Sequence, residues 1–540
     1  MNGKLEKTLH NSAAHKHWEK IGIFPHHGFD IPLSAIHSKN SCGIGEFLDL
    51  IPLIDWCHEI KMDVIQLLPL NDSGNDPSPY NALSSCALNP IYLSLHALPF
   101  IDELPELHKS FTQMRALTQS PKVHYHEVKV QKLYWLRLYF AKAGKKLIKK
   151  PEFEQFIAEN GWTISYGLFK TLKDILEQSL WQYWPDELKH PTKKQYDDLV
   201  ECYWDEICFH ICLQYLAFDQ FKAVKKYAEN ARVLLKGDVP ILISRDSADV
   251  WYHPNFFNLD YSAGAPPDPY SEEQQYWGFP LYRWEEKKKT QYSWWKQRLK
   301  VASNFFDLYR VDHVIGLFRI WAIPVGHPIT QGHYIPTDES LWLPQGRELL
   351  TMMLSSFEML PIAEDLGNVS PDIRLCLKEL GIPGTKVIRW ERRWETDKSF
   401  IPLDEYTPIS MTTLSTHDSE TLALWWRDIP LESKAFAKFK GWTYAPELTR
   451  AQRKEILWES HHTASLFHIN LLQEYLALYP ELVWPDPQDE RINIPGKILP
   501  SNWTYRFRPS VEDLLAHENL QREIQEIVMS PATPAIRLLA

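Results

Sequence analysis

Short runs of β-prone residues, each closing on polar or charged side chains, recur along this chain with long helical or looped segments between them. They lie at residues 28–36, 63–70, 239–244, 306–312, 360–364, 384–389 and 411–417, with a last strand near 491–495. Seven or eight strands so separated, most of them apolar on both faces, predict a parallel sheet whose neighbours are joined by crossover helices. The α/β architecture that closes such a sheet is a (β/α)8 barrel, here with inserted, largely helical subdomains.

Uneven spacing divides the chain. Residues 1–100 hold the first barrel strands with an N-terminal extension, and residues 101–235 form an inserted helical subdomain. Within the insert, residues 151–226 are helix-rich and dense in aromatics, as in Trp181-Gln-Tyr-Trp184. Residues 236–540 carry the remainder of the barrel, with an ordered loop insertion at about 251–295 that contains Gly264-Ala-Pro-Pro-Asp268 and covers a site.

Charge and cysteine usage narrow the function. Lysine and arginine total 58 against 69 aspartates and glutamates, a formal charge of −11, and a surface that repels phosphate argues against a nucleic-acid partner. The longest apolar runs are interrupted by Arg319 and fall short of the roughly 20 residues a spanning helix needs, so no membrane partner is expected. The polar N-terminus lacks the basic-then-apolar order of a secretory signal. Seven cysteines without a Cys-x-x-Cys pair point to a reduced, cytoplasmic protein. Nothing in the sequence sets an oligomeric state. The compositional outlier is tryptophan, with 22 copies, many beside charged residues. Such rings suit sugars, whose C–H faces stack on aromatic planes while the hydroxyl rim takes carboxylates and amides.

Three strand ends carry the chemistry: Tyr309-Arg-Val-Asp-His313, Ile362-Ala-Glu-Asp-Leu-Gly367 and Leu414-Ser-Thr-His-Asp418. The C-terminal ends of barrel strands form one rim, so Asp312, Glu364 and Asp418 are expected to converge on one pocket. Glycosyl transfer with retention needs a carboxylate nucleophile and a second carboxyl as acid and then base, roughly 5 to 5.5 Å apart. Asp312 suits the nucleophile, because Arg310 on the same strand face keeps it ionised. Glu364 suits the acid/base, its pKa raised by neighbouring carboxylates. Asp418, with His417 beside it, suits stabilisation of an oxocarbenium-like transition state. Proton transfer and attack both come from carboxylates, so no metal or organic cofactor is implied.

Arg310-Val-Asp-His-Val-Ile-Gly316, Ile362-Ala-Glu-Asp-Leu-Gly367 and Ser415-Thr-His-Asp418 together resemble the 4-α-glucanotransferases of glycoside hydrolase family 77, the amylomaltases or disproportionating enzymes. Further motifs agree in order: Gly43-Ile-Gly45, Leu68-Pro69-Leu70, Ser78-Pro-Tyr80, Asn89-Pro90, Gly237-Asp-Val-Pro-Ile241, Asp246-Ser-Ala-Asp-Val-Trp251, Gly264-Ala-Pro-Pro-Asp268 and Trp277. The resemblance spans residues 31–426. It implies a (β/α)8 barrel with inserted subdomains and disproportionation of α-1,4-glucans, with maltooligosaccharides and α-glucans of the glycogen or starch type as partners. Carried onto matching positions, Asp312 is the nucleophile, Glu364 the acid/base and Asp418 the transition-state stabiliser, with Arg310, His313 and His417 in the same subsite. Ser78 and Tyr80 match donor-side contacts, Gln275 and Trp277 flank the covering loop, and Asp246 and Asp268 join the substrate-binding set from their motifs.

The same triad also serves α-amylase-type hydrolases, and a degenerate barrel that only binds glucan is a third reading. The presence of all three carboxylates disfavours the last, and the family resemblance decides for transfer. The sequence departs from bacterial relatives at Phe279, where many have asparagine, and at Pro269-Tyr270, where relatives often have two aromatics. Trp277 to Trp295 looks more like the plant cytosolic disproportionating enzyme, although the barrel begins too early for an N-terminal starch-binding domain of the plant kind.

Overall fold

A computed structural model describes residues 3–267, 274–394 and 396–530. Eight parallel strands close into a barrel in which each strand pairs with its neighbours in sequence, the last returning to the first. They are β1 (His26–Ile31), β2 (Val64–Leu67), β3 (Leu234–Val239), β4 (Leu308–Val311), β5 (Leu360–Ala363), β6 (Gly384–Val387), β7 (Ser410–Thr413) and β8 (Phe467–Leu471). The fold is the expected (β/α)8 barrel. Among the described residues the β6–β7 connection carries only 3₁₀ turns, whereas an α-helix follows every other strand.

Two strands lie elsewhere than the sequence pattern placed them. β3 ends at Val239, where residues 239–244 were expected to begin. Pro240 has no N–H to continue the ladder, and Ile241, Leu242 and Ile243 are buried beyond the strand. The true strand was hidden by Lys236 and Asp238, charged residues that are nevertheless buried. The eighth strand is Phe467–Leu471, not 491–495. Its buried His468 and Asn470 interrupt the apolar pattern, whereas Asn493 lies in a loop whose N–H donates to the His417 carbonyl at 3.2 Å.

The barrel interior is partly polar. The Gln66 amide donates to Asp30 at 2.8 Å, and the Lys236 ammonium bonds to Gln66 and lies 3.3 Å from Met411 Sδ. Burial drives both charges toward neutrality, raising Asp30 to about 6 and lowering Lys236 to about 7.

Between β2 and β3 the chain is helical. Prolines open the helices Pro105–Ala116 and Pro151–Glu159, where a missing N–H costs nothing. The 28-residue helix Trp204–Ala231 buries an almost continuous apolar side and packs on Trp162–Ile175 and Leu50–Glu59. Buried ion pairs pin this region to the barrel loops: Lys132 to Glu46 at 2.6 Å, and Lys170 to Asp72 at 2.8 Å, with the Tyr166 hydroxyl donating to the same carboxylate at 2.7 Å.

The segment after β3 forms a small antiparallel sheet with the segment after β4. Its strands run in the order His333–Ile335, Ile320–Pro324, Tyr261–Ala265, Gln275–Tyr276. A Cβ at Gly264 would lie 2.1 Å from the Gln275 carbonyl and 2.8 Å from Ile323, so only glycine lets these strands approach. The sheet on this side therefore runs up to Ala265, and Asp268, Pro269 and Tyr270 lie outside the described residues.

Candidate active site

The register of β3, β4 and β5 aligns Val239, Val311 and Ala363. Asp312 and Glu364 each follow one of these aligned residues, so both emerge at one height on neighbouring strands. The ladder continues one step into the rim, where the Glu364 N–H donates to the Val311 carbonyl at 3.0 Å. Arg310 binds both: its Nη1 is 2.7 Å from Asp312 Oδ1 and its Nη2 is 3.5 Å from Glu364 Oε2. The same Nη1 lies 2.8 Å from Asp238 Oδ2 at the end of β3. Among these negative groups the guanidinium is held charged, against a burial that opposes it.

Glu364 differs from Asp312 in environment. Its carboxyl is raised to about 8, first by burial and next by the charges of Asp312 and Asp418, against the opposing pull of Arg310 and the His313 N–H. Desolvation therefore contributes more than the crowding of carboxylates that the sequence suggested. At neutral pH this group holds a proton.

Asp418 behaves oppositely. Burial would raise its carboxyl, but His417, the Asn493 amide and Arg310 together hold it down at about 2. His417 Nε2 is 3.2 Å from Asp418 Oδ2, and Asn493 Nδ2 donates to Oδ1 at 2.7 Å. The Tyr80 hydroxyl donates to Asp238 at 2.7 Å and sits 2.8 Å from His417 Nε2. Its ring stacks on the His417 imidazole at 5.3 Å and leans on Trp503 at 5.6 Å. Tyr80, Asp238, Arg310 and His417 thus form one hydrogen-bonded chain that joins the three carboxylates.

His313 adopts a left-handed backbone, φ +44°, uncommon for a residue with a side chain. That turn aims its N–H at Glu364 Oε2, 2.6 Å away. Its imidazole meets the Trp277 indole edge-on at 4.8 Å, and burial lowers its pKa to about 4, so the ring is neutral. The Trp277 indole N–H donates to Gln275 Oε1 at 2.9 Å. Both belong to the sheet-backed insertion.

Of the remaining expected residues, Ser78 is half-buried, its N–H tied to Asp76 at 2.9 Å, two positions before Tyr80. Asp246 is not brought to the carboxylates: one oxygen pairs with Lys173 at 2.6 Å and the other accepts from the Trp181 N–H at 3.2 Å. Asp268 lies outside the described residues. The sequence reading missed three members of the group. Asp238 sat in a matched motif without a role. Asn493 falls within the stretch whose pattern predicts a strand at 491–495, and Trp503 carries no local signal beyond tryptophan abundance. Two histidine-rich stretches of the chain are engaged away from the carboxylates, His124 with Ser120 and His461 with His27 and Tyr475.

Glu364 held protonated, Asp418 held ionised and Asp312 paired with Arg310, beside half-buried aromatic side chains, can together donate a proton, stabilise a developing cation and attack an electrophilic carbon. The comparisons agree with that chemistry. The family model described as 4-alpha-glucanotransferase, glycoside hydrolase family 77, matches residues 31–512. A 4-alpha-glucanotransferase from Chlamydia pneumoniae is 47% identical over 526 residues, covering 97% of this chain and 99% of that protein. Its counterpart from Chlamydia caviae is 46% identical over 526 residues, covering 97% and 98%. The solved amylomaltase from Streptococcus agalactiae, in complex with acarbose, superposes with a TM-score of 0.79 at 23% identity, over 94% of this chain and 99% of that one. The chain belongs to glycoside hydrolase family 77, the 4-alpha-glucanotransferases.

Proposed function

We propose that the chain transfers α-1,4-linked glucan segments with retention between maltooligosaccharides and glycogen- or starch-type glucans, releasing glucose or maltose. Asp312 attacks the anomeric carbon while Glu364 gives its proton to the departing glycosidic oxygen. The bond from that carbon to the leaving sugar breaks as the bond to Asp312 forms. Glu364, now ionised, takes the proton of an acceptor 4-hydroxyl, whose oxygen displaces Asp312 and restores both groups. Asp418, fixed by His417 and Asn493, faces the positive charge that develops on the ring. Arg310, His313, His417, Ser78, Tyr80, Gln275 and Trp277 line the glucan path, and Asp268 joins the substrate-binding set by its motif. Asp246, engaged by Lys173, acts by holding the Trp181 turn.

The observation that carries this reading is the contrast on one guanidinium: Arg310 contacts Asp312 at 2.7 Å, while burial keeps its other neighbour, Glu364, protonated to about pH 8. Maltotriose incubated with the enzyme is expected to give glucose and longer maltooligosaccharides. A chromatogram holding only shorter products would assign hydrolysis instead.

We also propose a cytoplasmic location and the division at residues 1–100, 101–235 and 236–540. Among the described residues all seven cysteines are free and only Cys202 is exposed, which fits a reducing compartment. No described helix is long and apolar enough to cross a membrane.

A further inference from the structure

A groove of about 680 Å³ opens on the helical region between β2 and β3, lined by Tyr196, Trp204 and Tyr252 and edged by Lys193, Asp197 and Glu201. Four elements build it: the start of the helix Trp162–Ile175, the helix Lys193–Cys202, the first turn of Trp204–Ala231, and the short helix Ala248–Tyr252. Trp204 and Tyr252 keep 39% and 42% of their surface exposed, although a 28-residue helix with a deeply buried side starts at Trp204. The Tyr196 and Tyr252 rings lie 5.1 Å apart with planes tilted by 44°, so they present two angled faces to the groove.

The chemistry of the rim selects the class of ligand. Lys193 and Asp197 neutralise each other at 2.6 Å, and the Lys193 ammonium hangs 5.5 Å from the Tyr196 ring centre. A strongly charged ligand finds no unbalanced field beyond the single carboxylate of Glu201. A neutral polyhydroxylated ring finds aromatic faces for its C–H surface and carboxylate, ammonium and phenol groups for its hydroxyls. The volume falls within the usual range for ligand sites, about 300–1,000 Å³.

Placement adds a reason. Tyr252 ends the helix that follows β3, on the rim side where the barrel carries its carboxylates. Asp249 of that helix accepts from the Ser85 hydroxyl at 2.6 Å, a few residues beyond Ser78 and Tyr80. A polymer held in the groove is thus anchored on the same face as the cleft, at residues separate from those around Asp312.

We propose that this groove is a second carbohydrate site that holds a segment of an α-1,4-glucan while another part of the polymer occupies the cleft. The inference rests on glucan being the substrate. In native gels cast with glycogen the parent enzyme should be retarded, and the double variant Tyr196→Ala/Tyr252→Ala should lose most of that retardation. Its KM for glycogen should rise about tenfold, while turnover of maltotriose, too short to need the groove, stays within about twofold. Tyr196→Phe/Tyr252→Phe keeps both ring faces and should keep the retardation. Single Tyr252→Ala carries the test should the double variant fail to fold. Unchanged retardation and unchanged glycogen KM in the alanine variants would overturn the proposal, as would a parent enzyme that glycogen does not retard. Absence of any product from maltotriose in the parent would count against the transfer reaction, separately from the groove.

Discussion

The backbone N–H of His313 lies 2.6 Å from Oε2 of Glu364, so the turn that ends β4 fixes the carboxyl at the end of β5. Asp312 immediately precedes that N–H in the chain, and the positive φ of His313 is what turns the amide toward Glu364. The strained backbone of one residue thereby sets the spacing of two carboxyls on adjacent strands. Side-chain exposures of 24% for Asp312 and 18% for Glu364 leave both open to a substrate entering from the rim.

Replacing either carboxyl separates their roles. Asp312→Asn is expected to lower kcat by about 10⁴-fold or more, since the amide cannot form the covalent bond assigned to this carboxylate. Glu364→Gln should slow maltotriose severely yet react normally in its first step with a glycosyl fluoride, whose leaving group needs no proton. Circular dichroism should show both variants folded. Near-normal turnover by Asp312→Asn would assign the nucleophile elsewhere.

The raised pKa of Glu364 makes two pH predictions. The proton donor is lost as pH rises through about 8, so kcat/KM should fall on an alkaline limb near that value, belonging to the coupled carboxyl group as a whole. Stability follows the same proton. The folded pKa lies above the ordinary value of 4.5, so the contribution is fully present below about 4.5 and is lost as pH rises through about 8. Glu364→Gln removes that loss, and its melting temperature relative to the parent should climb between pH 5 and pH 9. An offset constant across that range would contradict the assignment.

The sequence exposed the barrel where strands are uniformly apolar and end on charge, as at Leu360-Pro-Ile-Ala-Glu364. It failed where the lumen is polar. Lys236 and Asp238 in β3 and His468 and Asn470 in β8 are buried, and their polarity broke the pattern that marks a buried strand. Asp312 and Glu364 were legible because each immediately follows a strand, and Asp418 because it closes the rim segment that begins five residues earlier at the end of β7. Asn493 was not, because the loop that delivers it is positioned by tertiary contacts such as the bond from its N–H to His417, which no local spacing records.

Asn493 supplies the next prediction. Its amide is one of the groups that hold Asp418 ionised, at 2.7 Å. Asn493→Ala removes a donor to a charged oxygen, a contact worth about 1.5–3 kcal/mol. If that stabilisation is realised mainly in the transition state, kcat should fall by about 10- to 100-fold with KM little changed. Asn493→Asp should be worse still, because it sets a second negative charge against Asp418. A variant that altered only KM would place Asn493 in ground-state binding instead.

Asp72 tests how the helical region is tied to the barrel. Its carboxylate accepts from Lys170 at 2.8 Å and Tyr166 at 2.7 Å, and these partners hold it well below the usual carboxylate range despite complete burial. Asp72→Asn strands the Lys170 ammonium in a site 10% exposed, which should cost about 3–5 kcal/mol. The folded pKa is depressed, so this stabilisation exists above the unfolded value near 3.8 and disappears as pH falls toward the folded one. Urea titrations at pH 7 should show the loss in full. Asp72→Asn with Lys170→Met should recover part of it, and a double variant no more stable than the single would show that the pair is not the source.

Phe279 bears on acceptor choice. It follows Gly278, whose φ of +80° turns the chain, and its carbonyl accepts from the Ala263 N–H at 2.8 Å, just as the Ala263 carbonyl accepts from the Trp277 N–H at 3.0 Å. Both side chains are partly buried against the core, with Trp277 in edge contact with His313. An asparagine at 279 would replace a stacking face with an amide donor and acceptor. Phe279→Asn should therefore shift the relative kcat/KM for glucose, maltose and branched glucan as acceptors, while donor cleavage stays within about tenfold of the parent. Its backbone bond to Ala263 survives the change, so the small sheet should persist. If Phe279 serves only to pack beneath Trp277, the loss of its ring would appear as a lower melting temperature with acceptor ratios unchanged. Measuring the ratios and the melting temperature on the same preparation decides between the two, because recognition moves the first and packing moves the second.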